Sequence, residues 1–150
     1  DMINTVVRQI AFYTFERRVH TERKNGELTA DRIGEIWLEV QRESLGPSIE
    51  LMPGYEVFWG YIPHFVHSPF YVYAYAFGDC LVNSLYAVYE KADAGFAERY
   101  LAMLAAGGTK HHAELLKPFG LDARDPHFWQ GGLGVIERLI GELEALDRVA

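Results

Sequence analysis

The stretch that decides the fold runs from residue 62 to residue 91 and reads IPHFVHSPFYVYAYAFGDCLVNSLYAVYEK. Within it, Ser68 and Pro69 are a typical start of a helix, because a serine oxygen accepts from an unpaired N–H group and proline has no N–H to leave unpaired. The residues that follow are apolar on most sides up to Lys91. This stretch therefore predicts a central helix that begins at Ser68 and ends near Lys91.

Two amphipathic helices are predicted before this stretch. Apolar residues recur at steps of three and four from Met2 to Lys24, which is the spacing of a helix with one broad buried face. Thr29 is a suitable N-cap for a second helix that reaches about Ser44. The short turn between the two helices indicates a helical hairpin.

Three further helices are predicted in the C-terminal part of the chain. Asp93 is a candidate N-cap for the first of them, and a short helix follows. Asp125 and Pro126 open the last section, in which the adjacent glycines at residues 131–132 predict an interruption before a final amphipathic helix. No segment alternates between apolar and polar residues as a half-buried strand would.

An aromatic connection separates the helical hairpin from the central helix. Residues 45–68 combine prolines and glycines with two tyrosines, a phenylalanine and a tryptophan before Pro63, and long segments of this kind often build functional sites. With 150 residues available, the patterns together predict an all-α protein. We expect a single helical domain, residues 1–150, of about five to six helices with an irregular aromatic loop at residues 45–68.

Charge and cysteine content narrow the classes of function. Fourteen Lys and Arg against 21 Asp and Glu give a formal charge of -7, which argues against nucleic acid or an anionic membrane as a partner. The single cysteine, Cys80, lies in an apolar run and is expected to be a buried, unreactive thiol in a reducing compartment. No run approaches the ~20 apolar residues of a membrane span, and the N-terminus lacks the pattern of a signal peptide. A cytoplasmic protein is expected.

His64 and His67 are the first candidates for chemistry. None of the six histidines belongs to an H-E-x-x-H helix, so the sequence contains no self-contained zinc peptidase site, and two histidines fall short of the three protein ligands that zinc usually takes. Beside the predicted helix start at Ser68, the two imidazoles could instead add donors for a carboxylate or an oxyanion. They could also serve only to satisfy polar groups of the proline-rich loop.

Three tyrosines at the start of the predicted central helix are the second candidates. Tyr71 and Tyr75 are four residues apart and would share one helix face, whereas Tyr73 and Phe77 would share another. A tyrosine can donate a hydrogen bond to a peptide carbonyl or an oxyanion while its ring holds the substrate chain. The alternative is that these rings belong to an ordinary helical core.

Four ordered segments resemble one known family, and together they cover nearly the whole chain. Residues 62–79, with the pattern Ile-Pro-His-Phe-Val-His-Ser-Pro-Phe-Tyr-Val-Tyr, closely resemble the C-terminal signature of the oligoendopeptidase F family. Residues 8–16, 100–110 and 125–133 are similar to other parts of the same region. The family comprises helical zinc peptidases with a deep channel that cut short peptides, related more distantly to thimet oligopeptidase.

The resemblance implies which part of such an enzyme this chain would be. The H-E-x-x-H helix and the third zinc ligand of the family lie upstream of the matched region, so the chain is expected to bind no zinc and to be inactive alone. The matched region is expected to form a wall of the substrate channel, resembling the C-terminal lobe of a zincin-like oligopeptidase. The residues carried over for substrate or transition-state binding are His64, His67, Tyr71, Tyr73 and Tyr75.

Two functions remain open from the sequence. In the first, the chain is the substrate-channel portion of a zinc metalloendopeptidase that acts on short peptides, and its partner is the upstream peptidase portion. In the second, it is a noncatalytic helical module that binds peptides or associates with a second copy of itself through apolar surface left uncovered.

Overall fold

The computed structural model describes residues 2–92 and 94–148. Seven α-helices follow one another in it: α1 (Met2–Glu22), α2 (Ala30–Leu45), α3 (His64–His67), α4 (Ala74–Tyr89), α5 (Phe96–Ala106), α6 (His112–Leu116) and α7 (Pro126–Asp147). Short 3₁₀ helices lie at Arg23–Asn25, Tyr55–Tyr61, Gly107–Thr109 and Lys117–Phe119. The described residues contain no β-strand, so the predicted all-α class is confirmed.

The chain divides into two compact units, residues 1–77 and 78–150, with the boundary inside α4. The single domain expected from the sequence stays a prediction. The predicted aromatic loop lies in unit 1 and contains the 3₁₀ helix Tyr55–Tyr61 and the short helix α3.

Unit 1 is organised by the helical hairpin of α1 and α2. Phe15 of α1 packs edge-on against Trp37 of α2 at a ring distance of 5.1 Å, and Phe65 of α3 lies 5.0 Å from Phe15. Ile36 and Trp37 are essentially free of solvent contact. The N-cap predicted for α2 is confirmed, because the Thr29 side chain accepts a hydrogen bond from the backbone N–H of Arg32.

The predicted start of the central helix at Ser68 is wrong, because α4 begins at Ala74. Between these positions Phe70 has a left-handed backbone with φ 61°, which helical residues do not adopt. The N–H of Phe70 donates to Oε1 of the buried Glu16 at 2.6 Å. A partner on α1 therefore overrides the local helix-start signal of Ser68 and Pro69.

Unit 2 has its own core, in which Leu85 of α4 and Phe128 of α7 pack with Leu116 and Phe119. The predicted interruption at the two glycines is also wrong, because α7 runs continuously through them. Gly132 is buried, and a Cβ added to it would lie only 2.6 Å from the backbone oxygen of Cys80. This glycine therefore permits a close approach between α7 and α4 instead of ending a helix.

The two other helix starts predicted in unit 2 differ in outcome. Asp125 caps α7 as expected, since its side chain accepts from the backbone N–H of His127 with Pro126 in the first turn. The cap predicted at Asp93 lies outside the described residues, and the structure places Gly95 directly before α5. None of the described helices combines the length and the apolar character needed to cross a bilayer.

The C-terminal half of α7 leaves apolar side chains uncovered. Phe128, Gly132 and Val135 lie on the buried face of the helix, and the same face continues at helical spacing through Leu139, Leu143 and Leu146. These three leucines are 41%, 65% and 70% exposed. We call them the leucine stripe of α7.

Candidate peptide-binding site

A cleft of about 280 Å³ in unit 1 brings several of the predicted site residues together. His64 of α3, Tyr71 of the following turn and Tyr75 in the first turn of α4 all line it. We call it the tyrosine cleft. Its other lining residues come from α1, from the segment before α3 and from the turn before α4, and they are Asn4, Thr5, Arg8, Gln9, Phe12, Tyr61, Ile62, Pro63 and Val72.

His64 and Tyr71 form the aromatic wall of the tyrosine cleft. Their rings are nearly parallel, with 12° between the planes and 5.9 Å between the centroids. His64 is partly buried, whereas Tyr71 and Tyr75 are 54% and 65% exposed. The two phenol groups are therefore accessible to a ligand, and the stacked imidazole is held in place beside them.

Two polar side chains of α1 hold the segment that carries these residues. Glu16 accepts from the N–H of Phe70, and Oε1 of Gln9 accepts from the N–H groups of Tyr75 and Ala76 at 2.8 and 2.9 Å. Gln9 thus satisfies two of the N–H groups that the start of a helix leaves unpaired. Those two groups are not free to bind an oxyanion, so the expectation that the imidazoles lie beside a free helix N-terminus is wrong in this respect.

The two remaining predicted residues do not line the tyrosine cleft. His67 is exposed at the end of α3. The ring of Tyr73 packs edge-on against Tyr13 of α1 at 6.3 Å and against Phe77 at 6.4 Å. The structure therefore separates Tyr73 from Tyr71 and Tyr75, as the helical spacing suggested, although Tyr71 itself lies before the helix.

The cleft combines hydrogen-bonding groups with aromatic surface. Phenol and amide groups can donate to or accept from a peptide main chain, and the aromatic rings offer apolar surface to its side chains. Among the described residues no three His, Cys, Asp or Glu side chains are grouped so that they could hold a metal ion. In the described part of the chain, His64 and His67 thus have no third side chain of these types grouped with them.

Comparison with known proteins identifies the family of this chain. The model of peptidase family M3 matches residues 1–135, and the chain belongs to this family. No solved structure gives a significant match.

Three bacterial relatives indicate the branch of the family. The chain is 29% identical to oligopeptidase PepF of Bacillus subtilis over 143 residues, which cover 95% of this chain and 21% of that protein. It is 27% identical to the plasmid oligoendopeptidase F of Lactococcus lactis subsp. cremoris, over 95% of this chain and 24% of that protein. An oligoendopeptidase F homolog of Borreliella burgdorferi is 32% identical over 81% of this chain and 21% of its own length.

The chain thus spans about a fifth to a quarter of the length of these relatives. The resemblance to an oligoendopeptidase F-like peptidase region is confirmed.

The sequence reasoning missed the residues of α1 that build the cleft. In the sequence, Gln9 and Glu16 stand out only as members of the similar segment 8–16, because polar residues of an amphipathic helix ordinarily face water. A signal for Glu16 was present, since it directly follows Phe15 and lies four residues after Phe12 in the apolar face. An acidic residue in that position requires a buried partner, and Phe70 supplies it.

Proposed function

We propose that this chain forms a wall of the peptide channel in an oligoendopeptidase-type zinc metallopeptidase that acts on short peptides. The observation that carries the proposal is the tyrosine cleft, where His64, Tyr71 and Tyr75 meet in a member of peptidase family M3. The relatives are named as oligopeptidases and oligoendopeptidases, which supports peptides as the ligand class.

Each residue of the cleft has a distinct task in this proposal. Tyr71 and Tyr75 donate hydrogen bonds to the substrate main chain, and one of them donates to the oxyanion that develops on the scissile carbonyl. His64 stacks on Tyr71, which fixes the phenol ring, and its imidazole adds a further polar contact. Gln9 and Glu16 are positioning residues, because they hold the backbone on both sides of Tyr71.

Zinc in this proposal is bound by polypeptide outside these 150 residues. It would supply the activation of water for hydrolysis, as zinc does in peptidases of this kind. The partner of the chain is accordingly the upstream peptidase portion, and the chain alone is inactive. The cytoplasm remains the proposed location, in keeping with the single buried thiol of Cys80.

A set of matched variants tests the peptide-binding role. Binding of an acetylated hexapeptide to the purified chain is measured by calorimetry for Tyr71→Phe, Tyr75→Phe and, as a control, Tyr73→Phe. Loss of one hydrogen bond of about 1 kcal/mol weakens binding roughly fivefold in the first two variants and leaves the third unchanged. The proposal fails if the three variants behave alike, or if the chain binds no peptide.

A second measurement tests whether the chain is inactive alone. The purified chain is incubated with a quenched fluorescent peptide and zinc, and no chelator-sensitive cleavage is expected. Turnover that follows the protein concentration and is abolished by a chelator would show that the chain contains a complete active site.

The leucine stripe of α7 favours a second candidate function, a noncatalytic module that pairs with a second copy of itself. Leu139, Leu143 and Leu146 continue a buried face into solvent, and surface of this kind is a frequent interface between helices. The candidate predicts a dimer by light scattering at micromolar concentration, and Leu143→Lys converts it to a monomer. A monomeric wild-type chain would rule it out.

A further inference from the structure

Arg8 gives the tyrosine cleft a charge opposite to that of the whole chain. The chain has a formal charge of -7, yet none of the described residues that line this cleft is acidic, and Arg8 is the one among them with a full charge at neutral pH. Two other clefts of unit 1 contain bases and acids together: Arg17 and Arg18 with Glu22, and Arg42 with Glu43 and Glu50. The tyrosine cleft is therefore locally positive on a negative protein.

A second cleft of about 270 Å³ shares Arg8 with the first. The two clefts have Asn4, Arg8, Phe12 and Ile62 in common, so they adjoin along α1. Among the described lining residues of the second cleft, too, Arg8 alone is charged. A ligand that extends from one cleft into the other would pass the guanidinium.

The second cleft also contains two buried hydrogen-bond donors without an acceptor in the described structure. They are Nε1 of Trp37 and Nε2 of Gln41, both among its lining residues. Buried donors normally have a partner. The surroundings of Arg8 on this side therefore favour a ligand that brings oxygen acceptors.

The guanidinium of Arg8 is held in place without an ion pair among the described residues. Its central carbon lies 5.0 Å from the centroid of the Phe12 ring, a cation–π contact that leaves the N–H donors unused. Arg18 and Arg32 of the same unit, by contrast, are both paired with Glu39. The N–H donors of Arg8 are thus available to a ligand.

From these observations we infer that Arg8 binds a carboxylate of the peptide in the tyrosine cleft. The inference rests on the proposed peptide-binding function and specifies the class of peptide that the site prefers. A guanidinium presents two parallel N–H groups that match the two oxygens of a carboxylate. The carboxylate belongs to the C-terminus of the peptide or to an acidic side chain.

Three acetylated peptides with one apolar sequence separate the two sources. The first has a free C-terminal carboxylate, the second a C-terminal amide, and the third an amide together with one internal glutamate. We expect the free acid to bind the wild-type chain about fivefold to tenfold more tightly than the neutral amide, as a partly exposed bidentate ion pair provides. If the glutamate peptide binds as tightly as the free acid, the site accepts a side-chain carboxylate as well.

Arg8→Gln is the test variant and Arg17→Gln is its matched control. Both positions lie on α1, both side chains are exposed, and the substitutions remove the same charge at points about 13 Å apart along the helix. In Arg8→Gln the ratio of the affinities for the free acid and the amide falls to about one, whereas in Arg17→Gln the ratio stays at the wild-type value. Thermal unfolding of each variant checks that the fold is retained. The ratio of the affinities of the wild-type chain for the free acid and for the amide is a measurement that needs no variant.

The results distinguish failure of the inference from failure of the proposed function. If neither the free acid nor the glutamate peptide binds the wild-type chain more tightly than the neutral amide, or if a preference for a carboxylate survives Arg8→Gln, the role of Arg8 is overturned while peptide binding itself stands. Absence of binding for all three peptides overturns both. Raising the salt concentration is expected to reduce the acid preference and to leave binding of the amide unchanged.

Discussion

Replacement of Gly132 by alanine is expected to destabilise unit 2, although alanine is the better helix former. The added Cβ would lie 2.6 Å from the backbone oxygen of Cys80 and 2.9 Å from Oγ of Ser84, where ordinary contact begins at 3.4 Å. Contact with Cys80 is therefore 0.8 Å too short, and the nearest atom belongs to a backbone that cannot rotate away. Ser84 is held as well, because its hydroxyl donates to the carbonyl of Phe128 at 2.7 Å.

The magnitude follows from two opposing effects. Overpacking of this kind costs about 1–3 kcal/mol, whereas replacing glycine by alanine within a helix stabilises it by about 1 kcal/mol. Gly131 and Gly134 of the same helix have no atom within 4 Å of an added Cβ, so their alanine variants experience the second effect alone. The difference between Gly132→Ala and Gly131→Ala thus isolates the close contact at about 1–3 kcal/mol.

Urea denaturation followed by circular dichroism measures this difference. Gly131→Ala and Gly134→Ala are expected to raise the free energy of unfolding, and Gly132→Ala to lie below both. The packing of α7 on α4 described for unit 2 is refuted if Gly132→Ala is as stable as Gly131→Ala.

Two further predictions concern unit 1 and the segment before α7. Glu16→Ala leaves the N–H of Phe70 without its buried acceptor and is expected to lower the free energy of unfolding by about 1–3 kcal/mol. Glu16→Gln keeps an acceptor oxygen and is expected to lower it less. Equal losses of the two variants in denaturant titrations would contradict the role of this hydrogen bond. Hydrogen bonds from Arg124 lower the pKa of Asp122 from 3.8 to about 2, so the carboxylate stabilises the fold above about pH 4 and loses this effect as the pH falls toward about 2. The difference in the free energy of unfolding between the wild-type chain and Asp122→Asn should therefore shrink as the pH falls from about 4 to about 2. A difference that stays constant would contradict the stabilising role of this carboxylate.

Local sequence signals predicted the helices correctly where the hydrogen-bond partners are close together in the sequence. Thr29 and Asp125 accept from N–H groups two or three residues ahead, so their capping depends on adjacent sequence alone. The apolar spacing of Met2–Lys24 likewise requires only one helix, and α1 occupies Met2–Glu22. The all-α class followed from such signals.

Local sequence signals predicted a wrong helix start where residues far away in the chain determine the backbone conformation. Ser68 and Pro69 form a good helix start in isolation, but the buried Glu16 takes the N–H of Phe70 and delays the helix to Ala74. Periodicity cannot reveal that hydrogen bond, because its two partners lie 54 residues apart in sequence.

The candidate site, too, could be predicted only in part from the sequence. The sequence and the resemblance selected the group His64 to Tyr75, and the structure brings His64, Tyr71 and Tyr75 to one cleft. The role proposed for Arg8 could not be predicted, because it rests on which described residues surround the side chain in space. A residue pattern along the chain contains no such information.

The hydrogen bonds from α1 to the segment around Tyr71 also determine when the cleft can form during folding. They join residues 54 and 66 positions apart, and closing loops of that length costs more chain entropy than forming local contacts. During synthesis, α1 and α2 can pair well before Tyr75 has left the ribosome. The tyrosine cleft therefore depends on contacts that cannot form until the segment after α3 has been made, whereas the hairpin of α1 and α2 needs only the residues up to Leu45.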